Sequence, residues 1–251
     1  MRTQKKPHWL PALIVALFLA LLWWFVTSFG IVNTHFLPSP QSSFARLFSG
    51  WDYYWQALVA TLLEAFLGCL VAALIGIPLG YLIAKSRLFS LMIQPYLAAS
   101  QAVPAVAVAP LLTIWIGYGL APIVVLCAIM VAFPVIVNTA VGIKHIDPDL
   151  IGAARIDGAR GLTLIRHIEA PLAAPAILAG LRTGFTLSVT GAVVGEMVIG
   201  GRGLGILLTG AQNSADTTGM FATIILLAAA AMLIYWLLTR AEKKADYAIE
   251  N

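Results

Sequence analysis

The sequence predicts an all-α polytopic membrane protein with six transmembrane helices and two short cytoplasmic helices. Its composition is 61% hydrophobic and only 10% charged, with a mean hydropathy of +0.92, and soluble domains do not have this composition. Apolar runs recur along the chain, whereas a long polar segment occurs once, at residues 147–171. No soluble enzyme domain fits beside six spans. We therefore expect a single transmembrane domain at 1–251, with its core at 57–239.

The first span is predicted at about residues 10–29, an uncharged run long enough to cross a hydrocarbon core of roughly 30 Å. No small-residue cleavage site follows it, so we interpret it as a span and not as a signal peptide. Residues 31–55 are polar and aromatic, which is typical of an interfacial belt. The second span is predicted at 57–84, with Glu64 as its only charge.

Residues 88–143 contain no charged residue and no histidine. This run is too long for one crossing, and the turn signal at 117–122 divides it into spans three and four. Span three carries several prolines, among them Pro104, close to the polar Gln101. Prolines are tolerated in spans where the freed backbone groups face protein or a water-filled path.

Spans five and six are predicted at 173–199 and 219–239, with Glu196 near the far end of span five. A glycine-rich loop is expected between them at 200–218. Its run at 201–205 lacks the spacing and the strand context of a nucleotide site, so we interpret it as a turn. The chain is therefore not expected to bind ATP by itself.

The distribution of basic residues predicts the orientation. With six spans and the N-terminus inside, every lysine and most arginines lie in cytoplasmic segments, whereas the outside loops hold only Arg46 and Arg202. This pattern satisfies the positive-inside rule. It places both termini and residues 147–171 in the cytoplasm.

Residues 147–171 predict two short helices. Asp147 can cap the first helix and Pro148 suits its first position. Gly161 is predicted to end that helix, and Pro171 to end the next one. Residues 153, 154, 157 and 158 lie three and four positions apart and so share one face. Their small side chains indicate a docking surface for another protein; a basic amphipathic loop at the membrane surface is the alternative.

This segment resembles the EAA loop of ABC-importer membrane subunits, the binding-protein-dependent transport permeases. In that family the loop reads Glu-Ala-Ala, three residues, Gly, nine residues, Ile-x-Leu-Pro, and the spacing here is the same. Gly152 stands where Glu is usual, and Ala170 where Leu is usual. The resemblance implies that the segment contains coupling helices that dock an ATPase through Gly152, Ala153, Ala154, Asp157, Gly158, Ile168 and Pro171.

Four other runs, at 60–64, 101–104, 109–117 and 191–196, resemble the branch of the family for nitrate, sulfonates, taurine, thiamine-precursor pyrimidines and riboflavin. Glu64 and the last run are more similar to the pyrimidine and riboflavin members. An acid in the path would also repel an anion. We therefore expect a vitamin-precursor heterocycle as substrate, with nitrate, a sulfonate or taurine as the alternative.

The resemblance also implies a type I ABC importer-like fold and a set of partners. These are cytoplasmic ABC ATPase subunits, an extracytoplasmic solute-binding protein, membrane lipid and a second permease copy, with a homodimer expected and two related chains as the alternative. The location would be the bacterial inner membrane. No cofactor and no nucleic acid are expected.

The candidate residues of the substrate path are Glu64, Gln101, Pro104 and Glu196. An acid inside a membrane is costly unless it is partnered or neutralised, so each carboxylate is a functional hypothesis. Structural pairing of either acid with another span is an equally open interpretation.

Two other classes of protein compete with the importer. The four histidines lie in separate segments without metal-ligand spacing, so no metal site is expected and a membrane enzyme has little support. An ion-coupled secondary transporter would predict paired intramembrane charges and an inverted repeat. The sequence shows two isolated carboxylates and no convincing repeat.

Overall fold

The computed structural model of the protein describes residues 9–250, with side chains described at Pro11 and from Leu13 to Glu242. Within that range the fold is helical and contains no strand. The helices are α1 Trp9–Ser28, α2 Pro40–Ser49, α3 Trp51–Lys85, α4 Arg87–Ser100, α5 Ala105–Ile116, α6 Leu120–Lys144, α7 Pro148–Ile156, α8 Leu162–Leu164, a π-helical turn Ile165–Glu169, α9 Ala170–Ile199, α10 Leu204–Asn213 and α11 Thr217–Glu250.

The predicted spans correspond to apolar helices. Four of them are long and apolar enough to cross a membrane, namely α3, α6, α11 and the continuous helix Leu162–Ile199. The predicted third span is the pair α4 and α5, which is bent by 102° at a short break. The predicted first span is α1, whose described apolar part is shorter, Leu13–Ser28. The prediction of an all-α polytopic membrane protein is confirmed.

The break in span three lies between Ser100 and Ala105. Pro104 is the N-cap of α5, with extended backbone at φ −62° and ψ 131°. A proline disfavours helical backbone at the residue before it and cannot donate a helical hydrogen bond, so a helix cannot run through this position without distortion. The polar Gln101 is placed at this interruption.

Two predicted segments are more helical than expected. The loop predicted at 200–218 contains α10, so only its first residues form the predicted turn. The aromatic residues at 51–55 are the first turns of α3, which begins earlier than the predicted second span. Polar, aromatic and glycine residues are weak evidence against a helix, because the tertiary context can override local propensity.

The prediction that Pro171 ends a short second helix is wrong. The helix beginning at Leu162 continues through a π-helical turn into α9 and ends at Ile199. Pro171 lies in the first turn of α9, and the backbone N–H of Ala170 donates to the carbonyl of Ile165 across the wider turn. A π turn next to a proline accommodates the missing amide hydrogen without stopping the helix.

The chain forms two compact units. The first consists of residues up to Trp55 together with Leu207–Leu226. Inside it, the indole Nε1 of Trp23 donates to the carbonyl of Pro38 at 3.0 Å. Arg46 also forms an exposed ion pair with Asp216 at 3.2 Å. The predicted single domain at 1–251 stays a prediction.

The second unit, Gln56–Ile206 with Leu227–Asn251, contains the main core. Its centre is α6, where Ile123, Leu126 and Cys127 are fully buried. A glycine on α3, Gly68, lies so close to α6 that a Cβ there would collide with the side chain of Cys127. Small residues at such crossings allow membrane helices to approach each other closely.

We predict that Gly68→Ala destabilises the protein by about 1–3 kcal/mol, because the added methyl group overpacks the crossing of α3 and α6. The measurement is the midpoint of thermal unfolding in detergent. Gly210→Ala is the matched control, because a Cβ at Gly210 meets nothing within 4 Å. An equal loss of stability in both variants would contradict the close approach.

Candidate functional site

Residues 147–171, called the docking segment after their predicted role, begin as the sequence predicts. The carboxylate of Asp147 accepts a hydrogen bond from the backbone N–H of Asp149 at 2.9 Å, and Pro148 occupies the first turn of α7. This cap satisfies an amide group that has no partner inside the helix. The start of α7 is therefore fixed by its own sequence.

Gly158, and not Gly161 as predicted, ends α7. The backbone N–H groups of Gly158 and Ala159 donate to the carbonyls of Arg155 and Ala154. Gly158 has φ +91°. This is the Schellman arrangement, in which the residue after the cap is left-handed and favours glycine. The glycine of the loop pattern thus has a geometric role, while Asp157 is the C-cap.

The structure brings four of the seven predicted docking residues to one groove. Ala154, Asp157, Ile168 and Pro171 line a cavity of about 390 Å³, together with Leu150, His167 and Leu172. Of the three predicted residues outside this lining, Ala153 and Gly158 are exposed and Gly152 is partly exposed. The groove is concave, and several of its lining side chains are apolar.

Large apolar side chains surround the same turn, and sequence reasoning missed them. Ile156 is 88% exposed and Leu162 is 77% exposed, on either side of the turn after α7. Leu150, from the groove, is about half exposed. The signal in the sequence was the presence of these apolar residues inside an otherwise polar segment. Exposed apolar groups of this kind are typical of a surface that another protein or the membrane covers.

A buried acid at the end of the docking segment was also missed. Glu169 is 1% exposed, and its two carboxylate oxygens accept hydrogen bonds from Lys85 at 2.5 Å and from the hydroxyl of Tyr81 at 2.7 Å. Both partners lie on α3. Glu169 occupies the unspecified position of the loop pattern, so the resemblance gave it no role.

The two predicted intramembrane acids come together. Glu64 of α3 is 6% exposed and lies beside Glu196 of α9, which is fully buried. The interpretation of two isolated carboxylates is therefore wrong, because α3 and α9 pack with these positions facing each other. Neither helix period nor spacing could reveal this. The path role of both residues stays a prediction.

Glu196 belongs to a network of buried hydrogen bonds. The hydroxyl of Thr61 donates to its Oε1 at 2.7 Å and accepts from the backbone N–H of Leu204 at 2.8 Å. Its Oε2 accepts from the backbone N–H of Gly205 at 2.5 Å. A Cβ at Gly203 would collide with both Glu196 and Thr61. Because Gly203 has no side chain, the backbone of the glycine-rich turn can lie close to the Glu196 carboxylate.

The break between α4 and α5 opens into a second cavity. Its volume is about 320 Å³, and its polar lining residues are Ser100 and Gln101. The remaining lining is apolar and comes mainly from α5 and α6, with Met130 and Leu126 among its residues. A mostly apolar cavity with a few polar groups is the usual form of a small-molecule site. Pro104 lies at the break, next to this lining.

Comparison with known proteins assigns the family. Residues 76–247 match the model of the family described as binding-protein-dependent transport system inner membrane component. The chain belongs to this family and is a multi-pass inner membrane protein, the permease subunit of an ABC importer.

The chain is similar to permeases that are named for different substrates. The riboflavin transport system permease protein of Chloroflexus aurantiacus is 40% identical over 93% of this chain and 89% of its own length. The formylaminopyrimidine transport permease protein of Halalkalibacterium halodurans is 30% identical over 81% of this chain and 82% of its own. The taurine transport system permease protein of Escherichia coli is 30% identical over 85% of this chain and 80% of its own.

The fold is similar to a solved importer. A chain of the inward-facing MetNI methionine ABC transporter matches with a TM-score of 0.68 at 21% identity, over 78% of this chain and 97% of that one. This likeness confirms the predicted type I importer-like fold.

We predict that Thr61→Val destabilises the protein by about 1–3 kcal/mol, because it leaves a buried N–H group and a carboxylate oxygen without their partner. Thermal unfolding in detergent measures the effect. The control is Thr190→Val, at an exposed position of α9 where the hydroxyl donates only to the carbonyl of Thr186 in its own helix. If both variants unfold at the same temperature, the Thr61 network is not stabilising.

Proposed function

We propose that this permease subunit imports a pyrimidine-containing heterocycle, driven by a cytoplasmic ATPase that docks on residues 147–171. The observation that carries the docking part is the exposure of Ile156 and Leu162 around a turn whose geometry is fixed by Gly158. The proposed topology has both termini in the cytoplasm, as the distribution of lysines and arginines predicts.

The docking surface combines shape with apolar area. The groove beside α7 offers a concave receptor, and Ile156 offers a projecting apolar side chain. Burying such a side chain at an interface contributes about 1.5–3 kcal/mol. Gly152, where the family usually has Glu, supplies no charge. Apolar contact would therefore contribute more to docking in this chain than an ion pair from that position.

We predict that Ile156→Ser weakens binding of the cognate ATPase by about tenfold or more, because the apolar contact is lost. A titration of ATPase against detergent-solubilised permease measures the affinity. Ile31→Ser is the matched control, since Ile31 is also exposed, at 62%, but is predicted to lie on the opposite side of the membrane. Unchanged binding by Ile156→Ser would remove this residue from the interface, and equal weakening by Ile31→Ser would contradict the proposed topology.

The substrate proposal is supported by the relatives. The riboflavin permease is more similar to this chain than the taurine permease, 40% against 30% identity. Riboflavin contains a pyrimidine ring, and formylaminopyrimidine is itself a pyrimidine, so the two relatives share this chemistry. The argument from anion repulsion no longer contributes, because Glu64 is buried beside Glu196.

The cavity at the helix break is the proposed contact point for this substrate. The side-chain amide of Gln101 can donate and accept hydrogen bonds at once, which suits the edge of a pyrimidine ring. The apolar residues of α5 and α6 would contact its face. A second permease copy, with a homodimer proposed, and an extracytoplasmic solute-binding protein would complete the path within the lipid bilayer.

We predict ATP-dependent uptake of riboflavin or an aminopyrimidine, and not of taurine, by proteoliposomes containing the permease, its ATPase and its binding protein. Gln101→Ala should raise the half-saturating concentration for transport by about three- to tenfold, the value of one or two hydrogen bonds. Gln94→Ala, seven residues earlier and exposed on α4, is the control.

The outcomes separate the two parts of the proposal. Uptake of taurine alone would overturn the heterocycle and leave the importer standing. Normal uptake by Gln101→Ala would remove the cavity from the path. Uptake that does not require ATP would favour an ion-coupled transporter and overturn the ATPase partnership.

A further inference from the structure

The helices α3 and α9 are joined by polar contacts along most of their length. At one end Lys85 and Tyr81 of α3 bind Glu169, the residue immediately before α9. Further along, the hydroxyl of Ser188 donates to the carbonyl of Ala65 at 2.7 Å, with both groups buried. The Thr61–Glu196 hydrogen bond follows at the other end. The two helices are thus held together as an antiparallel pair.

The docking segment is connected to these helices in two different ways. It continues directly into α9, so any displacement of the segment reaches α9 through the helix itself. In contrast, α3 ends at Lys85, more than sixty residues earlier in the chain. Among the described hydrogen bonds, those of Glu169 with Lys85 and Tyr81 are the ones that join α3 to the docking segment.

We propose that Glu169 is a positioning residue of the transport cycle, and that its contacts with Lys85 and Tyr81 transmit the displacement of the docking segment into α3. This inference rests on the proposed docking of an ATPase at residues 147–171. Glu169 acts through α3 and does not itself touch the ATPase or the substrate.

Burial makes the Glu169 contact resistant to separation. Glu169 is 1% exposed, whereas the side chain of Lys85 is 38% exposed. Separating the pair would leave a buried carboxylate without its charge partner, which is strongly unfavourable. A displacement of Glu169 therefore moves Lys85 with it. An exposed ion pair would not behave in this way, because water replaces either partner at little cost.

The position of Glu169 in the chain also suits transmission. It is the last residue of the π-helical turn Ile165–Glu169. Such turns are irregular sites where a helix can deform. The part of the docking segment before this turn can tilt, and Glu169 is placed where the tilt meets the regular helix α9. A tilt of that part would displace the Glu169 carboxylate and, through its hydrogen bonds with Lys85 and Tyr81, would displace α3.

A displacement of α3 at Lys85 would also reach the opposite end of the helix pair α3 and α9. Thr61 and Lys85 are separated along α3 by about 36 Å at the helical rise of 1.5 Å per residue, which exceeds the thickness of the hydrocarbon core. At that far end Thr61 and Glu196 hold the backbone N–H groups of Leu204 and Gly205. A shift of α3 against α9 would therefore change the first turn of α10, on the side predicted to face the binding protein.

The test compares Glu169→Gln with a matched variant of another ion pair of α9. Arg182 of α9 forms a partly buried ion pair with Glu242 of α11 at 2.6 Å, and neither residue lies in the docking segment. Glu242→Gln therefore removes one charge from a comparable pair that does not join α3. Each variant is reconstituted with the ATPase and the binding protein, and ATPase retention, ATP hydrolysis and transport per ATP are measured.

We expect Glu169→Gln to retain the ATPase while transport per ATP falls by about fivefold or more, within the usual range of coupling between sites. Glu242→Gln should leave transport per ATP unchanged. The exchange Lys85→Glu with Glu169→Lys should recover part of the lost coupling, because it restores an ion pair at the same place. This exchange also provides the readout if Glu169→Gln does not accumulate in the membrane.

Any of three results in the transport measurements would overturn the inference. These are unchanged transport per ATP in Glu169→Gln, an equal loss in Glu242→Gln, or no recovery in the charge exchange. Loss of ATPase binding in Glu169→Gln would assign the residue to docking and overturn it as well. If the unmodified permease failed to bind the ATPase, the proposed function itself would fail, and that result is distinguishable from all of the others.

Discussion

A polar group buried in a membrane protein must find its partners inside the protein, because the lipid offers none. In this permease that constraint falls on a few side chains shared between α3 and α9. Glu196 accepts hydrogen bonds from a threonine of α3 and from the backbone in the first turn of α10, and Glu169 accepts them from a lysine and a tyrosine of α3. Ser188 adds a buried hydrogen bond to the carbonyl of Ala65, and most other contacts of the core are apolar and less specific in direction. These polar contacts therefore fix the register of α3 against α9. The positions of the docking segment and of the first turn of α10 depend on that register.

In the docking segment, the residues of the family pattern and the most exposed apolar residues are at different positions. Gly158 is required by the left-handed turn that ends α7, and Ala154 is packed at the border of the groove. The side chains that project furthest, Ile156 and Leu162, lie outside the family pattern. A pattern of small residues thus describes the backbone shape of this surface, whereas its apolar contact area comes from neighbouring positions. Shape and contact area can then vary separately, and Gly152 in place of the usual Glu is compatible with this division.

The break in the third span places two polar side chains, those of Ser100 and Gln101, at a cavity. Pro104 is the N-cap of α5 after the break, and Ser100 and Gln101 line a mostly apolar cavity there. Broken helices tolerated at membrane depth are those whose free backbone groups face protein or an aqueous path. The two acids behave differently, since Glu64 and Glu196 lie beside each other inside the packed helices. The break thus presents an amide and a hydroxyl to a cavity, whereas Glu64 and Glu196 are buried in the packed core.

The sequence by itself determined the class of fold, the positions of the apolar helices and the cap of α7, because each depends on composition or on residues that are neighbours in the chain. It also contained the loop pattern that indicated the family. Only the tertiary structure decided that Glu64 meets Glu196, that Glu169 is paired with Lys85, and that Ile156 is exposed. Those facts depend on which faces of α3 and α9 pack together and on the continuation of a helix beyond Pro171. A helical period shows which residues share a face, but the partner of that face lies far away in the chain and is chosen by packing.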